Sequence, residues 1–329
     1  MYAADRPGRL SPAVRGDPSL VYVPSSLSNS VQEIDPVTYR VIRSFAVGAL
    51  PQHVVPSYDL RTLWVNDDAG NTLTPIDPRT GRPGPPVAVR DPYNLYFSPD
   101  GRSAIVMAER LGRIDFRDPG TMRLVHSLPV PQCPGLNHAD FTADGWEMLV
   151  SCEYGARMIV VDVLRQRVVR TLALSGDGAP QDVKLAPDGQ VFYVADMLAN
   201  GVWEIDARRF RTLGLIPTGA GAHGLYVSRD SHYLYVSNRS EGSVSVISFR
   251  SRRVLHKWRI PGGGSPDMGG VSADGRVLWL SGRYNSEVYA ISTRTGRLLR
   301  RIPVGAGPHG LSVFPQPGRY SLGHTGVFR

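Results

Sequence analysis

His53, His138, His223 and His309 are half of the chain's eight histidines, and each stands at the opening of a short apolar run: "PQHVV", "LNHADF", "AHGLYV" and "PHGLSVF". Seven such openings align. The first aligned position holds Gln52, Tyr93, Asn137, Gln181, His223, Asp267 and His309; the second holds His53, Asn94, His138, Asp182, Gly224, Met268 and Gly310. Every side chain at the first position can form hydrogen bonds. Imidazoles and carboxylates gathered at one place suit a cation or a polar small molecule.

Such convergence needs a scaffold that returns the chain to one axis seven times, and the sequence repeats in that manner. The acid of the turn after each opening run falls at Asp59, Asp100, Asp144, Asp188, Asp230 and Asp274, at steps of 41 to 44 residues, with Gln316 in the seventh place. Each unit carries four short runs rich in Val, Ile, Tyr, Trp and Leu, separated by Gly, Pro, Asp and Ser turns, which read as a four-stranded antiparallel meander. No stretch keeps a helical period. Four strands repeated at this interval mark a β-propeller blade.

Seven first-strand motifs set the blade number. One fourth-strand run, "RVIRSFAVG", precedes them all. Residues 20–48 therefore supply strands two to four of a blade whose inner strand is "GLSVF" at 310–314, and this pairing closes the ring without an open sheet edge. The fold expected is an all-β, seven-bladed propeller over residues 20–314, preceded by a linker-like lead (1–19) and followed by a tail (315–329) packed on the propeller.

"YVSNRSEGSVSVIS", "YVADMLANGVWEID" and "VGAGPHGLSVF" resemble the YVTN-type (YncE-like) β-propeller repeat family over about residues 20–314. That resemblance implies the fold. It says little of function, because related propellers include envelope proteins, lactonases, a streptogramin lyase and dehydrogenase subunits. Function is argued from a site.

First strands of propellers are innermost, so the aligned positions are expected to ring one solvated mouth of the channel. The expected ligand-binding set is Gln52, His53, Asn94, Asn137, His138, Gln181, Asp182, His223, Asp267 and His309. Loops between second and third strands add Asp67, Asp68, Glu109, Glu153, Asp196 and Arg283 on the same face. Asp267, His309 and His53 come from consecutive blades and are the expected ligands of a divalent metal. The leading reading is an extracytoplasmic propeller binding a small polar ligand, an ion or an envelope protein or polymer. The alternative is a lactonase- or lyase-like enzyme using these histidines and carboxylates with a metal, and no catalytic residue is singled out.

Composition narrows the partners. The formal charge of +8 is carried almost wholly by arginine, since Lys184 and Lys257 are the only lysines. The arginines scatter over turns rather than interleaving with aromatics, which argues against nucleic acid. No apolar run is long enough to span a membrane, and the chain is expected to be monomeric. "GAGAHG" at 219 and "GAGPHG" at 305 match the dinucleotide fingerprint, yet each precedes a strand where that fingerprint needs a helix. Cys133 and Cys152 fall near the same end of one hairpin, so a disulfide is expected. With the Pro-, Gly- and Arg-rich lead, it points to a secreted or envelope-attached protein rather than a cytoplasmic one. The tail "PQPGRYSLGHTGVFR" departs from the repeat. It is expected to plug the ring through Tyr320, Leu322 and Phe328, or to lend Arg319, Tyr320 and His324 to a site.

Overall fold

The computed structural model describes residues 1–324 and 328–329. Seven antiparallel sheets form a seven-bladed β-propeller. The inner strands are Pro51–Pro56, Asn94–Phe97, Leu136–Phe141, Pro180–Leu185, Ala222–Val227, Pro266–Val271 and Ser312–Phe314. The ring closes as its sequence requires: Ser312–Phe314 pairs with Leu20–Ser25, which continues through Ser30–Asp35 to Arg40–Ala46. In the next blade the outer strand is split into Arg82–Pro83 and Val87–Ala88. "RPGPP" intervenes there, and proline has no N–H to give the ladder.

Seven apolar clusters fill the seven seams between blades. Strand alternation puts Ile105, Phe116 and Met107 of one blade against Phe141, Met148 and Val150 of the next. Fully burying side chains of this size stabilises by roughly 1.5–3 kcal/mol each. The outermost strands, such as Arg40–Ala46, are largely exposed.

Two features prepare the channel. The first is a register shift at the start of the inner strand in five blades, between Pro51 and Val54, Leu136 and Ala139, Pro180 and Val183, Ala222 and Leu225, and Pro266 and Gly269. Each bulge frees the two aligned residues from the ladder, and a bulge re-aims side chains in this way. The second is a belt of side chains bracing one inner strand to the next. Tyr96 Oη accepts from Ala139 N (2.9 Å), Asp140 Oδ2 from Leu185 N (2.7 Å), Asp182 Oδ2 from Leu225 N (2.9 Å) and Tyr226 Oη from Gly269 N (2.6 Å). Inner strands of neighbouring blades have no sheet partner along these edges, so the polar side chains satisfy buried N–H groups.

The lead does not behave as a linker. Tyr2, Asp5 and Val14 are buried, Val14 joins a seam cluster, and Tyr2 Oη donates to Leu185 O at 2.7 Å. The aromatic and aliphatic side chains scattered in a polar, proline-rich stretch are what pin it down. The described ends of the tail are tied to each other, with Arg319 N bonded to Arg329 O (2.7 Å) and Arg329 N to Tyr320 O (3.2 Å). It edges onto the inner strand Asn94–Phe97 through Phe97 N to Leu322 O (2.9 Å) and His324 N to Leu95 O (3.1 Å). Gly323 makes this approach feasible: its φ is +108°, and a Cβ there would collide with Leu95 O and Tyr96 Cα. Arg329 is paired with Asp140 at 3.0 Å and stacks over Tyr2, which binds lead and tail together under the ring. Cys133 and Cys152 form the expected disulfide, with Cα atoms 4.8 Å apart. Among the described residues no helix is long and apolar enough to cross a membrane.

Candidate functional site

The aligned residues converge inside the channel. Gln52, His53, Asn94, Asn137, His138, Gln181, Asp182, His223, Asp267 and His309 are all between 0 and 6% exposed. The expectation of a wetted mouth is therefore wrong in depth. The tail brings a fifth imidazole, His324, up against His53 and His138. Ring centroids of His53 lie 4.8 Å from His309, 4.5 Å from His324 and 5.8 Å from His138. His138 is 4.6 Å from His324 and 6.2 Å from His223.

Within this cluster the donor atoms of His223, Asp267 and His309 lie within 4.8 Å of one another, and so do those of His138, Asp182 and His324. The metal set expected from the sequence is shifted by one blade. His223, on the blade before Asp267, takes the place given to His53, because its Nδ1 is 2.9 Å from Asp267 Oδ1. His309 Nε2 is 3.6 Å from Asp267 Oδ2, an oxygen with no hydrogen-bond partner among the described residues. His223 Nδ1 also lies 3.0 Å from Met268 Sδ.

Electrostatics leaves these groups ready to act as ligands. Burial works against the Asp267 charge, but His223, Arg239 and His309 outweigh it and hold the carboxyl well below the usual carboxylate range. Burial, reinforced by Arg283, pushes His53 down to about 3 and His309 well below its ordinary value. Burial likewise depresses His138 and His324. These imidazoles are therefore neutral. Among the described residues, both nitrogens of His53, Nε2 of His138 and Nδ1 of His309 have no hydrogen-bond partner. Native proteins rarely bury polar atoms in this state, and an ion or water is the usual reason.

The remaining expected residues divide by role. Asn137 Nδ2 reaches Glu153 Oε2 (3.0 Å) and Gln181 Oε1 (3.3 Å), forming part of the wall. Asn94 Nδ2 contacts His138 Nδ1 at 3.2 Å and fixes that ring. Gln52 is buried with its Oε1 unpartnered. Asp182 serves the belt described above. Of the loop acids, Asp67 accepts from Thr72 and Thr74, and Asp196 accepts from Ala179 N and Trp203 Nε1, so both are turned into their own blades. Glu109 remains with Glu153 at the mouth, its carboxyl pushed up to about 7 by burial and then by Glu153 and Asp68. Two contributors escape the aligned pattern. Arg239 reaches Asp267 Oδ1 at 3.4 Å from a loop between strands. His324 lies outside the repeat, and the glycine before it is its only sequence signal.

A comparison with curated protein sequences returns no match. Solved structures share the fold. The chain is similar to hydrazine synthase of Kuenenia stuttgartiensis, with 19% identity, 88% of this chain and 95% of that one covered, and a TM-score of 0.72. It is similar to a putative 6-phosphogluconolactonase from Bacteroides uniformis, with 18% identity, 90% and 99% covered, and a TM-score of 0.71. A streptogramin B lyase aligns at 15% identity over 79% and 85%, with a TM-score of 0.66. These likenesses extend to fold alone. The family model for YNCE-like beta-propellers matches residues 11–319, nearly the whole chain, and the protein belongs to that family.

Proposed function

We propose that this propeller binds a divalent first-row transition metal in its channel, at His223, Asp267 and His309. The observation that carries the reading is the buried convergence of two imidazoles and one carboxylate whose donor atoms lie within 4.8 Å of one another. Metal ligands must be deprotonated, and the depressed Asp267 and His309 meet that condition. Imidazole–carboxylate sets suit zinc, iron, copper or nickel rather than magnesium or calcium. Arg239 occupies one Asp267 oxygen and leaves the other toward His309. The disulfide supports an oxidising, extracytoplasmic compartment.

A second reading, a metal-assisted hydrolase or lyase, draws on one feature. Three protein donors leave coordination positions open, as catalytic sites do, and the mouth loops carry Glu109, Glu153 and Arg283 toward a polar ligand. The test is direct. Protein stripped with a chelator and titrated with zinc(II) or cobalt(II) is expected to take up metal, and Asp267→Asn is expected to take up less while staying folded by circular dichroism. Uptake unchanged in Asp267→Asn would place the ion elsewhere, and none in the wild type would end the reading.

A further inference from the structure

We infer that the channel holds two ions, the second at His138, Asp182 and His324 with His53 standing between the sets. This rests on the reading of the first set just given. The second set repeats the chemistry of the first, two imidazoles and one carboxylate, with donor atoms again within 4.8 Å of one another. Its members come from two inner strands and the tail, so no local sequence feature accounts for their meeting.

Unpartnered nitrogens supply the independent observation. His138 Nε2 and both nitrogens of His53 are fully buried without a hydrogen-bond partner among the described residues. The His53 ring touches one histidine of each set, His309 at 4.8 Å and His324 at 4.5 Å. A buried polar atom without a partner is costly to the fold. Packing alone gives no reason to keep three of them together in the driest part of the fold. A ligand role for each does.

The two sets are not equal. Asp182 already accepts from Val183 N and Leu225 N, both at 2.9 Å, and Lys184 Nζ lies 3.7 Å from its Oδ1. A carboxylate has about four lone-pair sites, so each oxygen retains capacity for a metal. Each carboxylate has a cation beside it, Lys184 at Asp182 and Arg239 at Asp267. Asp267, however, keeps an oxygen with no hydrogen-bond partner among the described residues while both Asp182 oxygens are engaged, so the His223 set fills first. His324 reaches the second set only while the tail is docked through Gly323 and the Arg329–Asp140 pair. Filling the second set therefore also fastens the tail.

The experiment is a metal count on chelator-stripped full-length protein reloaded with zinc(II) and cleared of loose ion, backed by cobalt(II) absorption to follow each step. The wild type is expected to hold two equivalents, His324→Gln one, and His309→Gln one. Hydrogen exchange of the tail is expected to slow on the second equivalent and not on the first. One equivalent in the wild type, or two retained by His324→Gln, would overturn the second site and leave the first standing. None in the wild type would overturn both. If His324→Gln does not fold, His138→Gln replaces it with the same expected halving, and the wild-type count decides in any case.

Discussion

The Cys133–Cys152 bridge offers a quantitative test of how one wall of the channel is held. The two cysteines are 19 residues apart in sequence and flank Asn137 and His138, with Glu153 directly after the second. Opening the bridge frees a loop of that length in the unfolded chain, and the chain-entropy relation assigns this about 3 kcal/mol. Unfolding entropy of roughly 2 cal/mol/K per residue gives about 0.7 kcal/mol/K for a chain of this size. The expected fall in melting temperature is thus about 4 °C. Refolding under reductant tests this most cleanly, because both sulfur atoms stay in the seam cluster they share with Leu136 and Val150. A Cys133→Ala, Cys152→Ala variant is expected to melt lower still, since it also loses that packing. Scanning calorimetry of oxidised and reduced protein supplies the measurement. Melting points within 1 °C of each other would refute the entropic reasoning, and an intact mass unchanged on reduction would refute the bond.

Two further outcomes are expected. Tyr96→Phe removes the acceptor for Ala139 N, a buried N–H with no ladder partner on that side, and is expected to cost about 1–3 kcal/mol in urea unfolding and to speed exchange of that amide. Burial raises the Asp67 carboxyl from 3.8 to about 6 against the hydrogen bonds of Thr74 and Thr72. A raised acid favours the folded state while protonated, so its contribution is full below about pH 4 and fades as pH rises through about 6. At roughly 1.4 kcal/mol per unit, the stability difference between wild type and Asp67→Asn should shift by up to about 3 kcal/mol across that window. A difference constant with pH would show that Asp67 does not titrate there.

The blades were legible because their physics is periodic. Each must bury both faces against neighbours and turn within a few residues, so apolar alternation and turn acids such as Asp144 and Asp188 recur at fixed intervals. The same periodicity exposed the aligned polar pair, since bulged residues such as His138 owe nothing to the ladder and vary freely in type. Depth was not legible. Nothing in "PQHVV" distinguishes a wet rim from a buried one, because His324, which covers His53 and His138, lies in a segment that obeys no repeat. The braces were hidden for a related reason: Asp182 stands out in sequence as an acid of the aligned pair, and nothing there shows that its Oδ2 also holds Leu225 N of the next blade. The lead misled through composition, as Tyr2 and Val14 are anchors within a stretch whose prolines and glycines suggest a free tether.

Ring closure carries a consequence for synthesis. Leu20–Tyr22 must wait for residues 312–314 before its blade has an inner strand, and His53 must wait for His309 and His324 before the imidazoles cluster. Contacts this distant in sequence form late and slowly. A nascent chain interrupted in its last blade would own most of the sheet and neither complete donor set. An ion held in the channel adds its binding energy to the closed circle alone. It would then serve as a clasp that only a finished propeller can fasten, so that occupancy reports whether the circle was ever completed.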